Sequence, residues 1–233
     1  MTTDILLIRH GQASFGASNY DVLSPQGRRQ AEVLAAHLST STSAPLDRVI
    51  HGNLMRQRDT AAAYLQQPGI NGISQQQEHP GFNEFQAEHI VRHYLPRVIR
   101  QQPELGQLLT GENGFHRNFQ PLLLATLGSW QSCEFPREDL ESWPAFRQRV
   151  RGAMADILAN ARPGERIGIF TSGGVIAVIL QQVLGADDSL LRHLNYRIAN
   201  ASISHITHEQ GQMHLSYFNN YSHLQPADLV TFR

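Results

Sequence analysis

Short, uniformly apolar runs that stop abruptly at polar residues or glycine constrain this chain more than any other feature. Ile5-Leu6-Leu7-Ile8 is too short and too evenly apolar for a surface helix, and reads as a strand buried on both sides. Arg48 to His51 reads as a second short strand, and "PGERIGIF" as a turn leading into another. Segments of helical period lie between them. In "LSPQGRRQAEVLAAHL", Ser24 is placed to cap a helix, Pro25 fits its first position, and Ala31, Leu34, Ala35 and Leu38 form one apolar face. A second helix runs through "RQRDTAAAYL", a third starts with glycine in "SGGVIAVILQQVLG", and Ser142 caps a long one with Phe146, Val150, Ala153, Ile157 and Leu158 inward. Alternation of this kind predicts an α/β fold with a mostly parallel central sheet and helices on both faces.

Late in the chain, "ASISHITHE" and "MHLSYF" read as paired strands. Thr40 to Pro45 reads as a linker, and Gln66 to Gln77 as a surface loop leading into a short strand near Glu78. Regularity weakens from residue 85 to about 140. There "AEHIVRHYL" and "FQPLLLATLGSW" read as short helices interrupted by Pro96, Pro103, Pro121 and Pro136. The expectation is a single domain over residues 1–233 with a helical cap insertion at about 85–140.

Composition removes several function classes. All 19 Lys+Arg residues are arginine, which excludes a P-loop lysine, a Schiff-base lysine and a pyridoxal-phosphate anchor. Any phosphate must therefore be held by arginine, histidine or backbone amides. A net charge of -1 without a basic cluster argues against nucleic acid as a partner. Cys133 is the only cysteine, so an intramolecular disulfide and a cysteine metal cluster are excluded, and a buried free thiol in a reducing compartment is the default. No signal peptide precedes Asp4 and no apolar stretch reaches membrane-spanning length, so the expectation is a cytoplasmic protein with no membrane partner. The glycosylation patterns at Asn200 and Asn220 then read as chance matches.

Ligands of open α/β sheets gather at the carboxyl ends of the strands. Here one strand ends in Arg9-His10-Gly11, another at His51-Gly52-Asn53 with Arg56 and Arg58 just beyond, and a third in Thr171-Ser172-Gly173-Gly174, opening directly into a helix. Arginines clamp phosphoryl oxygens bidentately, and a helix N-terminus presents free amides to an anion. A neutral imidazole is a competent nucleophile toward phosphorus, and a carboxylic acid can protonate a departing alkoxide. These strand ends together point to a phosphate site.

"LLIRHGQAS", followed by "YDVLSPQGRRQAE" and "LMRQRDTA", resembles the histidine phosphatase superfamily, also called the phosphoglycerate mutase-like family. The resemblance spans the order of elements over most of the chain outside the segment from about 85 to 140. It implies His10 as the nucleophile, with Arg9 and Arg56 binding the phosphoryl group. Glu84, in "GFNEF", would be the general acid and later the base for water, and Gln12 and Ser14 would line the entrance. The family requires no metal or other cofactor.

One position departs from the pattern. Members usually carry a second histidine, in His-Gly-Gly, where this chain has Ser172. Serine still donates one hydrogen bond beside the amide of Gly173, but supplies no imidazolium charge. Loss of one charge-assisted contact costs about 1.5–3 kcal/mol of transition-state binding, or roughly one to two decades in rate. His51, at the neighbouring strand end, is either a partial replacement or a histidine hydrogen-bonded beside the site.

The resemblance favours a phosphomonoester hydrolase acting on a small phosphorylated metabolite, with a phosphoprotein as another substrate class. Dedicated mutases of the family carry Trp-Asn after Arg-His-Gly, where this chain has Phe15-Gly16, so a phosphoglycerate-type mutase is the second reading. A catalytically silent phosphate-binding or scaffold protein is the third. Arg92, Arg97, Arg100, Arg117 and Arg137 suit a second anionic group, or are ordinary surface charges. His89 and His93 lie four apart without a third metal ligand, and His205, His208 and His214 read as structural.

Overall fold

A computed structural model describes residues 2–14, 20–40, 44–70, 75–194 and 196–232. The chain divides into two compact units, one made of Met1–Asn83 with Val150–Arg233 and one of Glu84–Arg149.

The first unit is built on strands β1 (Thr3–Arg9), β2 (Arg48–His51), β3 (Gln75–Glu78), β4 (Arg166–Thr171), β5 (Ile203–Glu209) and β6 (Gln212–Asn220), in the sheet order β3-β2-β4-β1-β5-β6. The β3, β2, β4 and β1 strands run parallel, and β5 and β6 continue the sheet antiparallel. Helices α1 (Pro25–Thr40) and α2 (Met55–Leu65) pack together. Leu6 and Ile8 of β1 and Phe170 of β4 join Leu34, Ala35 and Leu38 of α1 and Ala61 and Tyr64 of α2 in one cluster. Successive side chains in a strand point to opposite faces. The alternate residues Ile5, Leu7, Ile167 and Ile169 are also fully buried, so helices cover both faces as the apolar runs predict.

The strand after residue 70 shows where an apolar pattern fails as a guide. Its residues Gln75–Glu78 are all exposed, so backbone pairing to β2 makes it a strand, not burial. Residues 41–43 of the expected linker and 71–74 of the expected loop lie outside the described residues.

The second unit contains α3 (Ala87–Gln101), α4 (Gly114–Arg117) and α5 (Phe119–Gln131), and ends within α6 (Trp143–Ala159), which continues into the first unit. Pro96 does not break α3, because Ile90, Val91, Tyr94, Leu95 and Val98 are buried on the face that packs with α5. Pro121 falls within the first turn of α5, where its missing N–H breaks no helical bond. Phe85, Trp130, Trp143 and Phe146 form an aromatic core, with ring centroids 5.0–6.0 Å apart.

Along α6 the inward residues include Val150, Ala153, Met154 and Ile157, while Leu158 is only half-buried. Cys133 is also half-buried, at a left-handed φ of 54°, and not sealed in a core. After β4 come α7 (Gly173–Leu184), buried at every residue from Gly173 to Gln181, and α8 (Ser189–Leu194).

Candidate functional site: a buried imidazole at the sheet edge

Register places three unusual strand ends side by side. Arg9 pairs with Thr171 and His51 with Phe170, so Ser172 emerges between the ends of β1 and β2. His10 is fixed through its own backbone. Its N–H donates to the Thr171 carbonyl at 2.9 Å, and its carbonyl accepts from Ala201 N at 3.2 Å and Asn200 Nδ2 at 3.3 Å.

The ring of His10 is 2.7 Å from the Gly11 carbonyl at Nδ1 and 3.1 Å from Arg56 Nε at Nε2. A carbonyl only accepts, so Nδ1 carries the proton; guanidinium only donates, so Nε2 presents its lone pair. Both partners therefore select one neutral tautomer. Burial pushes the imidazole well below its ordinary pKa of 6.5, with the charges of Arg56 and Arg9 acting in the same direction. The result is an unprotonated nitrogen at the sheet edge, flanked by fixed positive charge.

Arg56 occupies the first turn of α2 and is itself held. Asp21 Oδ1 accepts from its Nη1 at 2.6 Å, while Asp21 Oδ2 accepts from Met55 N at 2.8 Å. One carboxylate thus orients the guanidinium and accepts from an amide in the first turn of the helix. Thr60, one turn later, donates to the Arg56 carbonyl at 2.7 Å and accepts from Gly11 N at 3.1 Å, fastening the His10 loop to α2.

Gly11 is required by a close approach of two backbones. A Cβ there would lie 2.3 Å from the Gly27 carbonyl oxygen, and one on Gly27 would lie 2.0 Å from the Gln12 carbonyl oxygen. Two bare backbones touch, which lets α1 dock on the loop after β1. Ser24 caps α1 as its sequence predicts, accepting from Gly27 N at 3.0 Å. The same hydroxyl donates to Gln12 Oε1 at 2.9 Å, so the Gln12 side chain meets the helix cap. Ser14 is half-buried, with its N–H on the Val22 carbonyl at 2.8 Å.

The fourth strand delivers Ser172, which is fully buried and extended, at φ −124° and ψ 167°. Its side chain does not cap α7. Gln57 Nε2 donates to its Oγ at 2.8 Å and to the Phe82 carbonyl at 3.1 Å. Thr171 Oγ1 donates to the same carbonyl at 2.7 Å, tying the turn at Pro80–Phe82 to the end of β4. Gly173 opens α7 and is buried.

Arg9 is buried beside His10, and its Nη1 donates to the carbonyls of Ile198 and Phe232. His51 is buried with both ring nitrogens engaged, Nδ1 with the Gly52 carbonyl at 2.7 Å and Nε2 with Gln76 Nε2 at 2.9 Å. The second bond joins β2 to β3, and the two together favour the reading of a histidine hydrogen-bonded beside the site. Glu84 is the first residue of the second unit and is half-buried, with Oε1 accepting from Phe85 N at 3.2 Å. Phe15 and Gly16 lie outside the described residues. Among the described residues, no three His, Cys, Asp or Glu side chains gather to hold a metal ion, and no helix is long and apolar enough to cross a membrane. Asn200 and Ser202 are fully buried, which accounts for the first glycosylation pattern as a chance match.

Asp21, Gln57 and Thr60 were not singled out by sequence. Each is an ordinary polar residue whose role exists only through distant partners. Asp21 does lie within the "YDVLSPQGRRQAE" segment that carries part of the resemblance.

The sheet order and strand directions make this an α/β fold with a mostly parallel sheet, and the buried imidazole and arginine sit at its carboxyl edge. The sequence profile of the histidine phosphatase superfamily (branch 1) matches residues 5–116 and 110–221, and the chain belongs to that superfamily. Solved structures agree on the fold. A phosphoglycerate mutase from Bacillus anthracis strain Sterne superposes with a TM-score of 0.69 at 16% identity, covering 97% of this chain and 97% of the other. The alpha-ribazole phosphatase from Shigella flexneri gives 0.63 at 19% identity, covering 93% and 96%. A mycobacterial glucosyl-3-phosphoglycerate phosphatase in complex with VO3 gives 0.64 at 18% identity, covering 93% and 98%. No curated protein sequence matches the chain.

Proposed function

We propose that this chain is a phosphomonoester hydrolase that works through a phosphohistidine on His10. The observation that carries the reading is the tautomer of His10, with Nε2 stripped of its proton and burial keeping the ring neutral. In the first step the Nε2 lone pair forms a bond to phosphorus while the bond from phosphorus to the alkoxy oxygen breaks. Arg56 and Arg9 stabilise the equatorial oxygens, joined by the Ser172 hydroxyl and the Gly173 amide. Glu84 gives its proton to the leaving alkoxide. It then takes a proton from the incoming water, whose oxygen displaces His10 and releases inorganic phosphate.

Small phosphorylated metabolites are the proposed substrates, and two of the named structural relatives are phosphatases of that kind. Gln12 and Ser14 are proposed to line the entrance. His51 is given no chemical step, because the resemblance implies none for it and its Nε2 is tied to Gln76 of the neighbouring β3. Ser172 favours slower turnover than an imidazolium would allow, by the one to two decades estimated above. It also gives a silent phosphate-binding protein its claim as a second reading.

The test is to incubate the protein with p-nitrophenyl phosphate and a panel of phosphorylated metabolites, beside His10→Ala. Turnover that disappears in the variant supports the hydrolase. Equal rates for the two proteins across the panel would leave only the binding reading.

A further inference from the structure

The bond between Gln57 and Ser172 has a defined direction. Gln57 and Ser172 are both fully buried. Phe82's carbonyl can only accept, so the Gln57 atom 3.1 Å from it is the amide nitrogen, and the 2.8 Å contact to Ser172 Oγ comes from that same nitrogen. Both N–H groups of Gln57 are thereby used, one on each partner. Gln57 Oε1 points the other way and has no hydrogen-bond partner. It sits against Gly52, where a Cβ would come within 2.0 Å of it and within 2.5 Å of Asn83 Oδ1. Only glycine at position 52 leaves room for the amide in this orientation.

Ser172 Oγ therefore receives a hydrogen bond, and its own proton is left to donate. Among the described residues the Ser172 hydroxyl donates to no acceptor; its one side-chain bond is the one received from Gln57. A buried hydroxyl whose acceptor side is filled and whose donor side is not marks a place where a ligand oxygen completes the set. Ser172 leaves β4 between the strand ends that carry His10 and His51, so the unused donor belongs to the edge where a phosphoryl group would lie.

We propose that Gln57 is a positioning residue that fixes the polarity of Ser172, making its buried hydroxyl a neutral hydrogen-bond donor to a phosphoryl oxygen. Gly52 holds Gln57 in that orientation. The inference rests on the phosphoryl-binding reading of the site and deepens it. Gln57 does not touch the substrate; it acts through Ser172.

The experiment is a double-variant cycle on the full chain, with Gln57→Met, Ser172→Ala and the combination. The readouts are inorganic phosphate affinity and kcat/KM for p-nitrophenyl phosphate, with thermal melting to check folding. Each single change is expected to weaken both readouts by about tenfold to a hundredfold. The combined variant is expected to be no worse than Ser172→Ala alone, since Gln57 has nothing to orient once the hydroxyl is gone. A merely structural Gln57 would give effects that multiply.

Gly52→Ala displaces Gln57 without replacing either partner, and is expected to show the same dependence on the Ser172 hydroxyl. It decides the matter if Gln57→Met does not fold. Multiplying effects, or a Gln57→Met protein that binds phosphate as the wild type does, would overturn the proposal while His10-dependent hydrolysis stands. Phosphate binding without turnover would remove the hydrolase reading and leave the cycle to be read from affinity. A wild type that neither binds phosphate nor turns over would overturn both.

Discussion

Replacing Asp21 separates two contributions that one carboxylate makes. Its Oδ2 accepts from Met55 N at 2.8 Å, a cap on the first turn of α2, and its Oδ1 accepts from Arg56 Nη1 at 2.6 Å. A helix cap contributes about 1 kcal/mol. A charge-assisted bond contributes roughly 1.5–3 kcal/mol, and the lower end applies here because the Asp21 side chain is 27% exposed while that of Arg56 is 7% exposed. Asp21→Ala removes both and should destabilise the fold by about 2–3 kcal/mol. Asp21→Asn retains one oxygen for Met55 N but turns an amide donor toward Arg56, so about 1–2 kcal/mol is expected. Urea unfolding followed by circular dichroism measures both. In the same samples kcat/KM should fall by up to about a hundredfold, because Arg56 loses the partner that aims its Nε at His10. Two variants within about 0.5 kcal/mol of the wild type, with kcat/KM unchanged, would refute the view that Asp21 organises Arg56.

Two further outcomes are expected. Gly11→Ala forces a Cβ to 2.3 Å from a backbone oxygen that cannot rotate away, so it should cost at least about 2 kcal/mol in chemical denaturation and reduce activity with it. Acid should destabilise the fold through His10. Its folded pKa lies below the unfolded 6.5, so above that value both states are neutral and stability is complete. As pH falls below 6.5 the unfolded chain gains a proton that the folded one refuses, and stability declines by up to about 1.4 kcal/mol per pH unit for such a group. Desolvation holds His223 down to about 4, beside the stacked ring of His37 at 4.8 Å, so it adds to the slope over the same range. Melting temperatures between pH 7 and pH 5 check the sign, and the His10→Ala protein should show a shallower slope.

Elements whose own residues carry the physical cause were legible in the sequence. The apolar run of β1, the Ser24 cap and the glycine-started α7 needed only local chemistry. For β3 the sequence marked a short strand near Glu78 but not its start at Gln75, because its glutamines are exposed and paired by backbone alone. Pro96 read as an interruption, yet α3 tolerates it because its apolar face is packed. At the site, His10, Arg9, Arg56 and Ser172 announced themselves as unusual residues at strand ends. Asp21, Gln57 and Thr60 did not, because a carboxylate, an amide and a hydroxyl mean nothing until the fold brings them to Arg56, Ser172 and Gly11. Gly11 was visible as an oddity, but its cause lies in the Gly27 backbone, which no spacing reveals.

The central claim is that His10 Nε2 becomes phosphorylated. Rapid mixing with excess p-nitrophenyl phosphate, acid-free denaturing quench and intact-protein mass spectrometry test it directly, with peptide mapping of the product. The account predicts a gain of one phosphoryl group, mapped to His10, that decays on dilution at the rate of turnover and is absent from His10→Ala. Steady hydrolysis with no phosphorylated protein at any time, or a phosphoryl group on another residue, would contradict it.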